Sequence, residues 1–191
     1  MKKSRLNEVV QIANSMIKEE GYSNLSFSKV AKALDVTREN IHHYFKNKES
    51  LGLVCIDVME EDLNKNFEEI LSKDLDATAK LIEYFKFYKT QQNDRVDCPI
   101  VYLLTEYNLL PNSMQKGVKV LIDIEINNMI KILTLGQESG EFNISIDLEF
   151  KANLIMTLLK GSVGYTKVFN NFDDTTKHIL EDLTKSQDVE E

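Results

Sequence analysis

Apolar residues recur at helical spacing along most of this chain. Leu6, Val9, Val10, Ala13, Met16 and Ile17 fall on one face and predict an amphipathic helix over about 3–20. Gly21, after Lys18-Glu19-Glu20, suits its C-terminal end. Ser26 caps a second helix with Val30, Ala31 and Leu34 inward. Asp35-Val36 forms a turn, and Thr37 caps a third helix whose Ile41 and Phe45 face the core. Asn47 caps a fourth, starting near Lys48, with an apolar face of Leu51, Val54, Cys55, Val58, Met59, Leu63, Phe67 and Ile70.

The same spacing predicts further helices over about 76–92, 99–108, 113–137, 147–169 and 173–184. Pro99 suits a first helical turn, Pro111-Asn112-Ser113 separates two helices, and Gly136 and Gly140 flank the end of the longer one. The tail from Lys185 to Glu191 is polar and expected to fray. No long strand pattern occurs, so the expected fold class is all-α, with about nine helices. The segment 147–169 is apolar on most sides, which calls for burial on most sides. In a body this small, a second copy of the chain supplies the missing surface.

Composition narrows the class. No run of 18 apolar residues exists, and the basic start MKKSRLNEVVQ is not followed by a signal-peptide core, so a cytoplasmic location without membrane partners is expected. Cys55 and Cys98 make neither a disulfide framework nor a zinc pattern. The net charge of −8 is unevenly spread. Residues 1–52 hold nine Lys or Arg against six Asp or Glu, leaving +3; the remainder carries −11. A basic head on an acidic body confines phosphate attraction to one end.

Residues 26–51, SFSKVAKALDVTRENIHHYFKNKESL, carry the candidate chemistry. Two short helices joined by a tight turn, the second with polar residues at its N-terminal end, form the layout of a helix-turn-helix DNA reader. Thr37, Arg38, Glu39 and Asn40 are placed for base edges: Arg38 suits guanine, Asn40 adenine, and Glu39 can accept from cytosine. His42 and His43 on the next turn reach bases or phosphates. Lys48 at a helix start, Ser26 at another, and Tyr44 suit phosphates. Each has a structural alternative. Ser26 and Thr37 cap helices in any case, Glu39 complements a helix dipole, and Tyr44 fits a core. With His178 the only other histidine, the pair is no metal site.

Residues 5–55 resemble the TetR (tetracycline-repressor) family of transcriptional regulators. The resemblance rests on Glu20-Gly21-Tyr22, Leu25-Ser26-Phe27, Val30-Ala31, Leu34-Asp35-Val36-Thr37, Tyr44-Phe45 and Lys46-Asn47-Lys48-Glu49-Ser50-Leu51, in order and at the right spacing. In the body, Asp97-Cys98-Pro99 and Gln137-Glu138-Ser139-Gly140-Glu141-Phe142 resemble turns common in that family. The resemblance implies an all-helical homodimer. A DNA-binding domain over 1–50 would read a roughly palindromic operator, and a body over 51–191 would bind a ligand and dimerise. Glu39 and His42 depart from the family pattern, which usually has a small residue or Gly at the first position and Tyr at the second. The departures bear on operator sequence rather than on the mode of binding.

A ligand that releases DNA must bind the non-DNA-binding state better. Phe85, Tyr88, Tyr102, Tyr107, Met129 and Tyr165 are candidate pocket residues, with Glu106 and Lys160 or Lys167 as polar groups. Plain core packing is the alternative for each aromatic. Cys98, ahead of Pro99 at a helix start, is a candidate electrophile sensor, with an inert cap as the alternative. The helices over about 147–169 and 173–184 are expected to form the dimer interface, where Gly161 and Gly164 permit close backbones. An enzyme is not expected: there is no phosphate loop, metal-ligand spacing or nucleophile with a base, and no cofactor is implied. The expected function is a regulator, most simply a repressor, released by a small-molecule or electrophile effector. The competing function is an architectural or partner-assembly DNA-binding protein without an effector.

Overall fold

The first helix, α1 (Lys2–Glu20), ends at Gly21, whose φ of 83° only glycine adopts without strain. In the computed structural model, residues 2–88, 98–166, 168, 169 and 171–185 are described. The remaining α-helices are α2 (Phe27–Ala33), α3 (Arg38–Tyr44), α4 (Lys48–Ser72), α5 (Ala77–Lys86), α6 (Pro99–Thr105), α7 (Asn112–Glu138), α8 (Leu148–Tyr165) and α9 (Phe172–Thr184). A single 3-10 turn, Tyr107–Leu109, follows α6. The architecture is all-helical, with no strand among the described residues.

Caps decide where the short helices start. Ser26 Oγ accepts the Lys29 N–H at 3.2 Å, Asp76 caps α5 through Ala79 at 2.7 Å, and Asp147 caps α8 through Phe150 at 2.9 Å. Each such cap contributes about 1 kcal/mol. Asn47 and Ser50 bond reciprocally at the start of α4. At the other end of α7, Gly136 has no side chain because the Phe142 ring fills that space; an added Cβ would lie 2.0 Å from it.

The helix expected over 76–92 is described only to Lys86, with Phe87 and Tyr88 in a following turn. Residues 89–92 lie outside the described residues, as does all of the expected frayed tail beyond Lys185. The helix expected over 99–108 is shorter, and tightens into the 3-10 turn after Glu106.

Two compact units result: Met1–Asp62 with Cys98–Ile122, and Leu63–Asp97 with Asp123–Glu191. Helices α4 and α7 contribute residues to both. In the first unit, Val9, Ala13, Ile17, Leu25, Val30, Ile41 and Leu51 form the core with Ile100, Leu103 and Met114. In the second, Phe67, Leu81, Tyr84, Phe85, Tyr88, Met129, Leu133, Ile155, Leu159, Phe172 and Ile179 are buried. No helix is long and apolar enough to cross a membrane among the described residues.

Candidate nucleic-acid interface

Helix α3 has seven residues, too few to persist without support. Its support is Ile41, 1% exposed, and Phe45 just beyond its end, 5% exposed. Burying two such side chains contributes about 3–6 kcal/mol, enough to outweigh the cost of nucleating one turn. The preceding turn places Asp35 at φ 52°, the left-handed region that Asp tolerates better than most residues.

With Ile41 inward, Arg38, Glu39, His42 and His43 are exposed. His42 packs edge-on against Phe27 at 4.7 Å, which fixes the α3 face relative to α2. Glu39 lies at the positive end of α3. Its carboxyl is held below the usual range by its own backbone N–H first, then by the Thr37 hydroxyl, with Arg38 and His42 adding charge attraction. Its oxygens are therefore already solicited by the helix start, the structural alternative foreseen for it.

Asn40 is committed in a similar way. Its Oδ1 accepts the Thr37 backbone N–H at 3.1 Å and the Thr37 hydroxyl at 3.0 Å, closing a cap over the first turn. Asn40 also lines a cleft of about 150 Å³ with Arg5, Val9, Leu34, Val36, Ile41 and Tyr44. Tyr44 is half-buried there, its ring edge-on to His43 at 5.6 Å. Arg5, exposed and paired with Glu8 at 2.8 Å, brings a guanidinium to the same cleft. In the sequence Arg5 is one of the head's basic residues, with nothing adjacent to mark its place beside α3. The signal was its position one turn before Val9, on the face that packs against α2 and α3.

Lys48 is the most constrained of the candidates. Its Nζ donates to the Ser23 carbonyl at 3.0 Å and sits 4.3 Å from the Tyr22 ring centroid. Burial lowers its pKa, opposed by the Glu106 charge. Tyr22 stays neutral beneath it, its phenol pushed up to about 12 by burial, then by Glu49 and Cys55. Glu106 completes the arrangement by accepting the Ser23 N–H at 3.0 Å and 3.3 Å. Ser23 thus has both backbone groups tied, one to α4 and one to the end of α6. Glu106, foreseen as a pocket group, belongs to this joint instead.

The pocket candidates scatter. Phe85, Tyr88 and Met129 are buried in the second unit. Tyr102 and Tyr107 belong to the first unit and are partly exposed. Tyr165 is 63% exposed and stacks on Phe169, so it is no core residue. Cys98 is N-cap of α6 and 2% exposed, and Lys167 lies outside the described residues. No cluster of metal-binding side chains occurs among the described residues. Tyr88 and Lys160 do meet, on a residue that sequence reasoning missed. Glu125, 1% exposed, accepts the Tyr88 hydroxyl at 2.9 Å and the Lys160 ammonium at 2.6 Å. Its place among apolar neighbours in α7 hid it, because a charge there reads as a helix face turned to water.

The short capped helix has an exposed polar front and a buried back, the layout of a helix-turn-helix reading element. Comparison with known proteins agrees. Residues 10–53 match the bacterial regulatory proteins of the tetR family. A fatty acid metabolism regulator protein of Bacillus subtilis is 25% identical over 172 residues, covering 85% of this chain and 83% of that protein. A TetR-family regulator from Agrobacterium tumefaciens shares the fold at a TM-score of 0.90 and 19% identity, with 96% and 99% of the two chains covered. FadR from Bacillus subtilis, solved with stearoyl-CoA, superposes at 0.67 with 22% identity, over 94% of this chain and 97% of that one. Residues 10–53 thus carry the tetR-family match, and the fold over nearly the whole chain is similar to that of solved TetR-family regulators.

Proposed function

We propose that the chain is a cytoplasmic repressor that binds a palindromic operator as a homodimer and is released by a small-molecule effector held in its body. The observation that carries the reading half is α3 itself: Arg38, His42 and His43 exposed over a buried Ile41. In this reading Arg38 and Thr37 contact bases, with Glu39, Asn40, His42 and His43 beside them. Tyr44, Ser26, Lys48 and Arg5 serve phosphates. The division of labour falls between residues 1–50, which read DNA, and 51–191, which bind effector and partner.

Support for the homodimer comes from α8. Phe150, Leu154, Leu158 and Tyr165 are 62%, 42%, 46% and 63% exposed, and their spacing of four, four and seven puts them on one stripe. Gly161 lies on the same stripe and Gly164 beside it, each with open space around an added Cβ. An apolar stripe of this length on one helix suits a self-complementary contact. Helix α9 turns Ile179 and Leu183 inward and exposes Asp173, Asp174, Lys177 and His178, so α8 would carry most of the contact.

Support for an effector comes from the similarity to FadR, which was solved with stearoyl-CoA, and from the buried polar group around Glu125. The test is operator binding by the purified protein, followed by fluorescence anisotropy with and without a small-molecule extract of the native cells. Sequence-specific binding that the extract weakens is expected. Specific binding that no extract changes would favour an architectural protein.

A further inference from the structure

The second unit contains a buried carboxylate oxygen without a hydrogen-bond partner. Glu125 uses Oε1 for both Tyr88 and Lys160, while its Oε2 is buried and accepts no hydrogen bond. A carboxylate oxygen withdrawn from water without a donor is costly, and such atoms in native proteins call for a specific explanation. A second unpartnered acceptor, Asn171 Oδ1, belongs to the residue preceding Phe172, whose ring packs 6.4 Å from Tyr88. Both unpartnered atoms are acceptors. The surroundings are aromatic: Tyr88 also packs against Tyr84 at 5.9 Å, and Lys160 Nζ lies 5.2 Å from the Tyr88 ring centroid.

We infer that Glu125 Oε2 is the polar anchor of the effector site, and that it takes an uncharged, largely apolar molecule through a hydroxyl or amide N–H. This rests on the effector reading above and adds the chemical class. The acceptor calls for a donor. The charge of Glu125 is already matched by Lys160, whose side chain is 12% exposed, so a cationic or anionic group would leave a net charge buried. The aromatic layer of Tyr84, Tyr88 and Phe172 suits an apolar body.

The test titrates the full chain with matched pairs, decan-1-ol and 4-phenylphenol against their methyl ethers, with decanoate and decylamine as charged comparators. Calorimetry reads binding and anisotropy of a labelled operator reads release. At least one hydroxyl compound should bind ten- to a hundredfold tighter than its ether, the range of one hydrogen bond to a charged acceptor. Both charged compounds should bind more weakly than decan-1-ol. The Glu125→Leu/Lys160→Met double variant removes the acceptor and both buried charges together and should abolish the preference. Should that variant fail to fold, a crystal structure of the unaltered protein with the bound hydroxyl compound decides, its oxygen being expected within hydrogen-bond distance of Oε2. Equal binding of alcohol and ether, an unaltered preference in the double variant, or an ordered water at Oε2 with the compound elsewhere would overturn the anchor. Absence of binding by every compound would overturn it too. Release by ethers as well as alcohols would leave the effector reading standing without this anchor. The effector reading itself fails only if the cell extract also leaves operator affinity unchanged.

Discussion

Glu106 Oε2 accepts the backbone N–H of Ser23 at 3.0 Å, across 83 residues of sequence. The bond ties the end of α6 to the loop between α1 and α2, and Lys48 holds the carbonyl of the same Ser23 from α4. A hydrogen bond from backbone to carboxylate contributes about 1.5–3 kcal/mol when partly shielded. Glu106→Ala should therefore lower stability by about 1–2 kcal/mol, allowing for partial exposure, with an unchanged m-value in urea unfolding. Operator affinity should fall as well, because α2 follows directly from this loop. A variant of unaltered stability would mean that the bond contributes nothing net.

The α8 stripe predicts its own disruption. Leu158→Glu places a charge in the middle of Phe150, Leu154 and Tyr165, a position already 46% exposed in the single chain. The fold should persist by circular dichroism, while sedimentation velocity reports monomers and operator binding is lost. A dimer that survives this variant would move the contact to another surface.

Glu141 carries a pH prediction. Burial pushes its carboxyl up, but hydrogen bonds from Thr78 N–H, the Ser139 hydroxyl and Ala77 N–H outweigh this and bring it to about 2. The folded value lies below the ordinary value of 4.5, so its contribution is full above that pH and disappears as pH falls through about 2. Glu141→Gln should lose about 1 kcal/mol at pH 7, the scale of a helix cap. The gap between variant and parent should narrow steadily from pH 4.5 downward. A gap independent of pH would assign the loss to shape rather than charge.

Both thiols are sheltered. Cys55 is fully buried, its thiol pushed up to about 12 by desolvation, and Cys98 is 2% exposed. Native protein should react with Ellman's reagent far more slowly than unfolded protein at both positions. Rapid labelling of Cys98 alone would restore it as an electrophile sensor, to be tested through loss of quinone response in Cys98→Ser.

Much of this was legible in the chain. Ser26, Gly21 and Asn47 mark helix boundaries through local chemistry alone, and Ile41 announces the inner face of α3 by spacing. What stayed hidden depends on partners distant in sequence. Lys48 looks like a free cation at a helix start until Ser23 and Tyr22 are seen to hold it. Asn40, expected at adenine, also has its oxygen accepting from Thr37, a contact that residue type alone does not announce. Tyr165 resembles core because its neighbours are apolar, yet it lies on the outer stripe. Glu125 is the reverse case, a buried charge whose partners, Tyr88 and Lys160, come from 37 and 35 residues away.

In the proposed reading, α3 reads sequence through Arg38 while Lys48 adds only charge attraction. Selection from a random duplex pool, followed by salt titration of the winning site, tests it most directly. The parent protein should enrich an inverted repeat. Arg38→Ala should lose preference at one position in each half-site. Lys48→Ala should enrich the same repeat, bind all sequences more weakly and lower the salt slope by about one unit per head. Enrichment of the unaltered repeat by Arg38→Ala, or of no repeat by the parent, would contradict the account.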